Sequence, residues 1–302
     1  MKKITLVLMI LAAAFFTVSV VTGCKTPPPP APVEEPPPPP EPEPEPEAQP
    51  ALPPSINVSL SPQPFGPDGD GTDDELTIAV SVTAQSPIVS WSVTVSEPVE
   101  PFLPFYERSG EGDIPSRITW NGVGTSGELV QSAMDYPLTV SVTDANGQTA
   151  TVEDTIRVDV LVINEGGTLR VIVPAIMFAA NTGDFSGLDE EVTANNDRIL
   201  RRIAEILNRF GNYSIQIEGH ANPTTPPNTR RRTQEEEGSR REVGLQPLSE
   251  ERAKTVLEYL ANLGVNRDRL SSVGMGSARV IVEYENRDYW WQNRRVEFIL
   301  VR

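Results

Sequence analysis

Few residues in this chain have side chains suited to chemistry. The chain contains one histidine, His220, and one cysteine, Cys24, so it offers no histidine or cysteine cluster spaced like a zinc site. A catalytic histidine needs a nucleophile and an orienting acid beside it, and no motif of that kind surrounds His220. We therefore expect that the protein is not an enzyme and has no resident organic cofactor.

One acidic loop offers ligands for a hard cation. Residues 68–75 read Asp-Gly-Asp-Gly-Thr-Asp-Asp-Glu, which places five acidic side chains within eight residues. Carboxylate oxygens suit Ca²⁺, although the spacing is not that of an EF-hand loop. The alternative is a solvated turn, in which Asp and Gly satisfy local backbone groups. The candidate calcium ligands are Asp68, Asp70, Asp73, Asp74 and Glu75.

The charge of the chain limits its partners. Its 302 residues carry a formal net charge of −17, and most of the excess acid falls in residues 1–160. Binding to nucleic acid requires clustered Lys and Arg that neutralise phosphates. We expect no nucleic-acid partner, and the uneven charge indicates that the two halves of the chain are built differently.

The first residues look like a targeting signal. Lys2 and Lys3 precede an apolar run over residues 4–21, and small residues follow it before Cys24. This order is typical of a secretory signal peptide, although a run of about eighteen apolar residues could also span a bilayer. The sequence Val21-Thr-Gly-Cys24 resembles a bacterial lipobox, in which the cysteine becomes the acylated first residue of a lipoprotein.

The lipobox resemblance implies a membrane anchor. It predicts a signal peptide over residues 1–23 and acyl chains, palmitate among them, on Cys24 that insert into membrane lipid. Several chains on one residue anchor a protein stably, whereas a single chain does not. Lys25 follows the cysteine, which by the usual sorting rule favours the outer membrane.

Residues 24–54 form a proline- and glutamate-rich linker in the sequence. Of the 30 prolines in the chain, 16 fall between Pro27 and Pro54. Such a segment has too few large apolar side chains to build a core. We expect an extended polyproline II spacer that reaches on the order of 90 Å at roughly 3.1 Å per residue. The alternative is a ligand for a proline-recognition module.

Residues 55–160 are predicted to be an all-β domain. Apolar and polar residues alternate with period 2 over residues 76–82, 89–95 and 138–142. Asp144-Ala-Asn-Gly147 supplies a hairpin turn before a further strand near 151–158. Short strands without a helical stretch favour a β-sandwich. Residues 67–76 and 118–122 and this hairpin resemble the Ig-like modules of the flagellar hook-capping protein and other bacterial envelope proteins.

Residues 161–302 are predicted to form an α/β domain. Strands are expected at 169–173, 214–218, 270–273 and 295–301. Apolar residues at helical spacing predict one helix over 196–210 and a second that opens with Ser249 as its N-cap and ends at Gly264. The order βαβαββ predicts a mixed sheet with both helices on one face.

Five motifs in this region occur in the order of a known family. They are Gly219-His-Ala-Asn222, Leu248-Ser-Glu-Glu-Arg-Ala253, Arg269-Leu270, Gly274-Met-Gly276 and Asn293-Arg-Arg-Val-Glu-Phe298. Together they resemble the OmpA-like peptidoglycan-associated domain over residues 169–302. The resemblance implies non-covalent binding of the peptidoglycan stem peptide through its diamino acid.

The resemblance also implies which residues touch the ligand. In the family, an Asp after Gly-His-(Thr/Ala) pairs with the ammonium of the diamino acid, and the Arg of Leu-Ser-x-x-Arg-Ala pairs with its carboxylate. The matching arginine is Arg252, expected in the first turn of its helix, where the helix dipole favours an anion. The alternative is a surface arginine paired with Glu251 or Glu218. The other residues expected to contact the ligand are Asn181, Thr182, Asp184 and Arg294.

The sequence departs from the family at the expected acid. That position is Asn222, and replacing a charge-assisted hydrogen bond by a neutral one weakens it by on the order of 1–2 kcal/mol. The connection over residues 223–247 is long and highly charged. It could supply a substitute acid, cover the site or be disordered.

Three further residue groups near the motifs have structural alternatives to a functional role. His220 is expected to be structural, as in the family. Arg294 and Arg295 could touch ligand or brace the terminal strand. Trp290 and Trp291 could stack on sugar rings, but next to a terminal strand such residues more often pack against the sheet.

Together these expectations describe a cell-envelope lipoprotein. It would tether the outer membrane to peptidoglycan without making bonds, with its folded domains in the periplasm and with other envelope proteins as further candidate partners. The alternative is a structural or partner-binding lipoprotein whose OmpA-like domain has lost peptidoglycan affinity because Asn222 replaces the acid.

Overall fold

The computed structural model describes residues 52–223 and 245–302. The predicted signal peptide, Cys24 and nearly all of the linker lie outside these residues, as does most of the 223–247 connection. Within the described ranges, no helix is both long enough and apolar enough to cross a membrane.

Residues 55–160, which we call the β-rich region, contain seven strands in two antiparallel sheets. One sheet has the order β1-β2-β5 and the other β4-β3-β6-β7. The strands are β1 (Ser55–Ser61), β2 (Leu76–Thr83), β3 (Ile88–Ser96), β4 (Pro104–Glu111), β5 (Arg117–Trp120), β6 (Asp135–Asp144) and β7 (Thr149–Arg157). Their apolar residues share one hydrophobic core.

The alternation in the sequence explains this core. Along β6, Tyr136, Leu138 and Val140 are fully buried while the residues between them are not. The turn after β6 is the predicted hairpin, because the Asp144 carboxylate accepts the N–H groups of Asn146 and Gln148, each at 2.9 Å. The strands expected at 76–82, 89–95 and 138–142 are therefore present.

Residues 161–302, which we call the C-terminal region, form a five-stranded mixed sheet with two helices in their described part, 161–223 and 245–302. The elements are β8 (Ile163–Glu165), β9 (Thr168–Val173), α1 (Glu190–Arg209), β10 (Ser214–His220), α2 (Leu245–Asn262), β11 (Leu270–Gly276) and β12 (Val296–Val301), with 3₁₀ helices at Arg267–Arg269 and Arg287–Asn293. The strand order is β11-β10-β12-β9-β8, and of these pairs only β10–β11 is parallel. The sheet is mixed as expected, and β8 is an additional strand.

The two faces of this sheet differ in chemistry. Ile217 and Phe298 point into the hydrophobic core formed with both helices. Their neighbours Glu218 and Glu297 are buried on the opposite face, because side chains alternate along a strand. Helices α1 and α2 therefore cover the same face of the sheet, and the other face carries buried charge.

Helix α1 begins earlier than its apolar pattern indicates. Asp189 is the N-cap and accepts the N–H of Val192 at 2.8 Å, and Glu190 and Glu191 complement the helix dipole in the first turn. The predicted start at 196 was wrong because the first turns of the helix carry no apolar stripe.

Helix α2 also begins before the predicted position. Ser249 is not an N-cap; it is fully buried inside the helix, where its hydroxyl donates to the Gln246 carbonyl at 2.9 Å and accepts the N–H of Gly276 at 2.8 Å. This bond ties α2 to the end of β11. Arg252 consequently lies about two turns into the helix. The expectation that the N-terminus of this helix favours an anion at Arg252 is therefore wrong.

Glycine allows α2 to lie close to the sheet. A β-carbon at Gly219 would collide with the Ser249 carbonyl, and one at Gly274 would collide with the backbone of Gln246 and Glu250. These two glycines belong to the motifs noted in the sequence. Their role is to let backbone approach backbone.

The β-rich and C-terminal regions pack against each other. The Arg202 guanidinium donates to the Asp159 carboxylate through both Nε, at 2.8 Å, and Nη2. Ala133 and Val160 lie in the core of the C-terminal region, while Met134 contacts the cores of both regions. Charge pairing and apolar burial together hold the junction.

Candidate ligand-binding site

Arg252 is a half-buried cation on helix α2. Its Nε donates to the Thr182 carbonyl at 3.1 Å, and its guanidinium carbon lies 5.0 Å from the centroid of the Phe178 ring. Neither expected partner pairs with it: Glu218 pairs with Arg279, and the Glu251 side chain lies against Gly183. Among the described residues no carboxylate forms an ion pair with Arg252.

The surroundings of Arg252 favour an incoming anion. Burial lowers the pKa of the Arg252 guanidinium from its usual value, and the nearby cation Arg294 lowers it further. Both effects mean that the positive charge is held at a cost that a bound carboxylate would relieve. A planar guanidinium also presents paired donors that match a carboxylate.

The loop that contacts Arg252 is held in place by other residues. The Asn196 side chain of α1 accepts the N–H of Met177 at 3.0 Å and donates to its carbonyl at 2.7 Å. Phe178 stacks on Phe185 with centroids 5.1 Å apart, and Phe185 meets Tyr259 edge-on at 5.8 Å. The position of the loop is therefore set by both helices.

Of the predicted loop residues, one contacts Arg252. Thr182 does so through its backbone carbonyl, while its hydroxyl donates to the Ala179 carbonyl at 3.0 Å. The Asp184 carboxylate accepts the hydroxyl and backbone N–H of Ser186, which lower the pKa of Asp184. Asn181 is exposed and adopts a positive φ of 62° at the turn. The side chains of Thr182 and Asp184 thus stabilise the loop itself.

Asn222 follows β10 and is half-buried. Its side-chain oxygen Oδ1 is buried and has no hydrogen-bond partner within residues 52–223 and 245–302. An unpaired buried acceptor costs about 1–3 kcal/mol. The position where the family has its acid therefore carries a neutral acceptor that is unpaired within the described residues.

A cavity of about 310 Å³ lies beside Arg252, between the two regions of the molecule. Arg252, Arg294 and Arg198 line it from the C-terminal region, and Pro98, Val99, Met134 and Asp135 line it from the β-rich region. Of the residues expected to touch ligand, the cavity brings together Arg252 and Arg294. Asn222, Asn181, Thr182 and Asp184 do not line it.

Buried polar groups without partners belong to residues that line this cavity. Trp291 Nε1, Arg295 Nη1 and both ring nitrogens of His220 are buried and make no hydrogen bond to any described residue. Buried polar groups are normally satisfied, so several exceptions at one cavity indicate a place for a polar ligand or water. The sequence had favoured packing for Trp291, and it is indeed buried, with the additional role of lining the cavity.

His220 belongs to a buried charge network. Its Nε2 lies 3.5 Å from Glu218 and 3.6 Å from Glu297, while Arg295 Nε donates to Glu297 at 2.7 Å. Burial lowers the pKa of His220 to about 3, helped by the cations Arg295, Arg279 and Arg170. The imidazole is therefore neutral at physiological pH and acts as part of the scaffold.

Among residues 52–223 and 245–302, two groups of side chains come close enough to share a metal ion. Glu218, His220 and Glu297 form one, but arginines already pair with both carboxylates. Asp68, Asp70 and Asp74 form the other, which leaves out Asp73 and Glu75.

The carboxylates of the acidic loop have local hydrogen bonds. Asp74 accepts the N–H groups of Gly69 and Gly71 at 2.7 and 2.8 Å, as the turn interpretation expects. Asp68 accepts the N–H of Val162 at 3.0 Å. Calcium binding stays a prediction, with Asp68, Asp70 and Asp74 as its nearest set of ligands.

The remaining motif residues have structural roles. Arg269 donates to three carbonyls at the end of α1 and just beyond it, those of Leu207, Phe210 and Tyr213. The Asn293 side chain bonds to the backbone of Val282. Trp290 donates to the Tyr284 carbonyl at 3.1 Å and packs on that ring.

Comparison with known proteins agrees with the motifs. Residues 185–294 match the model of the OmpA family. The peptidoglycan-associated lipoprotein of Brucella melitensis is 32% identical over 126 residues, which are 41% of this chain and 66% of that protein. The protein of the same name from Agrobacterium fabrum is 30% identical over 126 residues, 41% of this chain and 63% of that protein.

These matches cover slightly less than two thirds of the length of the two relatives. Among solved structures, the periplasmic domain of Helicobacter pylori MotB is 20% identical and covers 46% of this chain and 77% of that one, with a TM-score of 0.36. The family match and the five ordered motifs coincide in the C-terminal region. This region of the chain is an OmpA-like domain.

Proposed function

We propose that the protein binds peptidoglycan non-covalently, with a stem-peptide carboxylate on Arg252. The observation that carries this proposal is a half-buried guanidinium without a carboxylate partner in the described part of the chain. Other arginines of the OmpA-like domain do pair with carboxylates, among them Arg170, Arg202, Arg279 and Arg295. Arg252 is held by a carbonyl and a ring, which leaves its charge for a ligand.

The chemistry of the stem peptide fits this arrangement. Its diamino acid carries a carboxylate and an ammonium, and a guanidinium binds a carboxylate through two parallel hydrogen bonds. Arg294 lines the same cavity and adds positive charge. The two relatives described above are named peptidoglycan-associated lipoproteins, which supports the same ligand class.

We further propose that the protein is a lipoprotein of the outer membrane with its folded part in the periplasm. The lipobox-like sequence before Cys24, the spacer composition of residues 24–54 and the names of the relatives support this. The function would then be to tether the membrane to the cell wall. Tethering needs binding alone, without a chemical step.

We also propose that the β-rich region is an Ig-like sandwich. Its sheets of three and four strands share one core, and Trp91 is buried on β3. The hydroxyl of Tyr136, at the start of β6, accepts the N–H of Gln131 at 2.8 Å. A tyrosine that bonds back to the preceding corner is a recurrent feature of Ig-like folds.

A second function is favoured by Asn222. Because this residue lacks the family's charge, the domain could bind envelope proteins instead of peptidoglycan. In that case purified sacculi would not retain the protein. The two functions are therefore separated by one binding measurement.

The test is co-sedimentation of the full-length protein in detergent with purified sacculi. We expect wild type to sediment and Arg252→Ala to lose most binding, because removing one member of a buried charged contact commonly costs about 2–5 kcal/mol. Arg267→Ala is the matched control, since Arg267 lies on the same domain in an exposed pair with Glu258. If wild type stays in the supernatant, or if both variants bind equally, the proposal is wrong.

A further inference from the structure

We infer that the β-rich region completes the ligand site, and that Asp135 supplies the negative charge for the ligand's ammonium group. The inference rests on the proposed function, because it concerns the same ligand. It assigns to the first folded region a role in recognition, in addition to any role as a spacer. It also identifies an acid in place of the one missing at Asn222.

The position of Asp135 follows from the packing of the two regions. Asp135 is the first residue of β6 and lines the cavity together with Arg252. The preceding residue, Met134, contacts both hydrophobic cores, and Ala133 is buried in the core of the OmpA-like domain. The wall that carries Asp135 is therefore fixed relative to Arg252.

The distribution of charge around the cavity indicates a zwitterionic ligand. Arg198, Arg252 and Arg294 line the cavity, and Asp135 is the one acidic residue among its described lining residues. Asp135 is exposed and forms no ion pair within the described ranges, although Arg157 lies opposite it in the β6–β7 register. A carboxylate and guanidiniums that line one cavity, and that form no ion pairs within the described ranges, suit a molecule that carries both charges.

The buried polar groups without partners also support a charged ligand in the cavity. Trp291 Nε1 and Arg295 Nη1 are donors without acceptors among the residues described, and both residues line the cavity. They favour the carboxylate end of a ligand. The ammonium end then needs an acceptor, and Asp135 is the acid among the described lining residues. Asn222 does not line the cavity and carries no charge.

The experiment compares two probes that differ in their ammonium groups. Diaminopimelate carries two carboxylates and two ammonium groups, whereas pimelate carries the carboxylates alone. Calorimetry uses the full-length protein in detergent. We expect Asp135→Asn to weaken diaminopimelate binding about five- to tenfold, because a rim or partly exposed charge pair contributes modestly. Binding of pimelate should stay the same or become tighter, because a repulsive charge is removed.

Two further variants accompany this experiment, one as a control and one as a test of the alternative position for the acid. Asp113→Asn removes an exposed acid of the same region that does not line the cavity, and it should change neither affinity. Asn222→Asp should change diaminopimelate affinity by less than about threefold, because Asn222 lies outside the cavity. Thermal unfolding of each variant checks that the fold is intact.

The outcomes separate this inference from the proposed function. If neither probe binds wild type, the proposed function fails. The inference alone is wrong if both probes bind wild type equally. It is also wrong if Asp135→Asn and Asp113→Asn have the same affinities, because Asp135 then does not bind the ligand's ammonium group. If Asn222→Asp tightens diaminopimelate binding more than Asp135→Asn weakens it, Asn222 marks the ammonium position instead.

Discussion

The two faces of the sheet in the OmpA-like domain are built from the same strands but perform different tasks. On the helix-covered face, residues such as Ile217 and Phe298 are fully buried among apolar neighbours. On the opposite face, Glu218, His220 and Glu297 are equally buried, but they are surrounded by charge. The first face stabilises the domain, and the second forms the support beneath the candidate site. Burial alone therefore does not distinguish core from site, whereas the chemistry of the buried groups does.

The largest expected loss of stability follows from a substitution on the helix-covered face. Phe298→Ala removes a fully buried ring between the sheet and both helices. Such substitutions cost about 3–5 kcal/mol of the free energy of unfolding. Urea unfolding should show this loss, while the protein that remains folded should bind sacculi as wild type does. A variant that is stable but does not bind would show that this face also serves the ligand.

A smaller effect is expected when the charged face is altered. Glu297→Gln keeps the size of the side chain but leaves Arg295 buried without its anion. We expect a loss of about 2–3 kcal/mol in urea unfolding, since an unpaired buried charge is costly. Binding to sacculi should weaken as well, because Arg295 lines the cavity. Glu258→Gln, in an exposed pair on α2, is the control and should change neither property.

The smallest effect concerns pH and His220. The folded protein holds the pKa of His220 at about 3, below the 6.5 of an ordinary histidine, so the unfolded chain binds the proton more readily between these values. The contribution of neutral His220 to the free energy of unfolding is therefore fully present above pH 6.5. It is lost progressively as the pH falls below that value. Lowering the pH from 7 to 5 should cost wild type about 1–2 kcal/mol more than His220→Gln. Equal slopes for the two proteins in urea unfolding at several pH values would show that His220 is not buried in the neutral form.

Much of the fold could be predicted because its signals are local. The alternation of apolar and polar residues predicted the strands of the β-rich region. Five short motifs in the sequence alone indicated the OmpA-like domain. Where a local signal was ambiguous, the prediction failed. A serine before an apolar helical run looks like an N-cap, and the bond from Gly276 that makes Ser249 an interior residue comes from a distant strand.

The candidate site was only partly predictable for the same reason. Arg252 was found because it lies in a motif. Asp135 was not, because it lies more than a hundred residues away in another region and carries no motif of its own. Trp291 was assigned to packing, and nothing in the sequence indicates that its indole nitrogen lacks a partner at a cavity. Such properties depend on how two regions meet.

The junction at Asp159 and Arg202 has a consequence for how this protein can be divided. Cutting the chain after residue 160 would separate Asp159 from Arg202 and take Val160 and Ala133 out of the core of the OmpA-like domain. The excised piece would expose an apolar patch and leave Arg202 with Glu205 as its remaining carboxylate partner. The two regions thus form one structural unit. A chimera that moves the OmpA-like domain onto another scaffold should carry residues 55–160 with it.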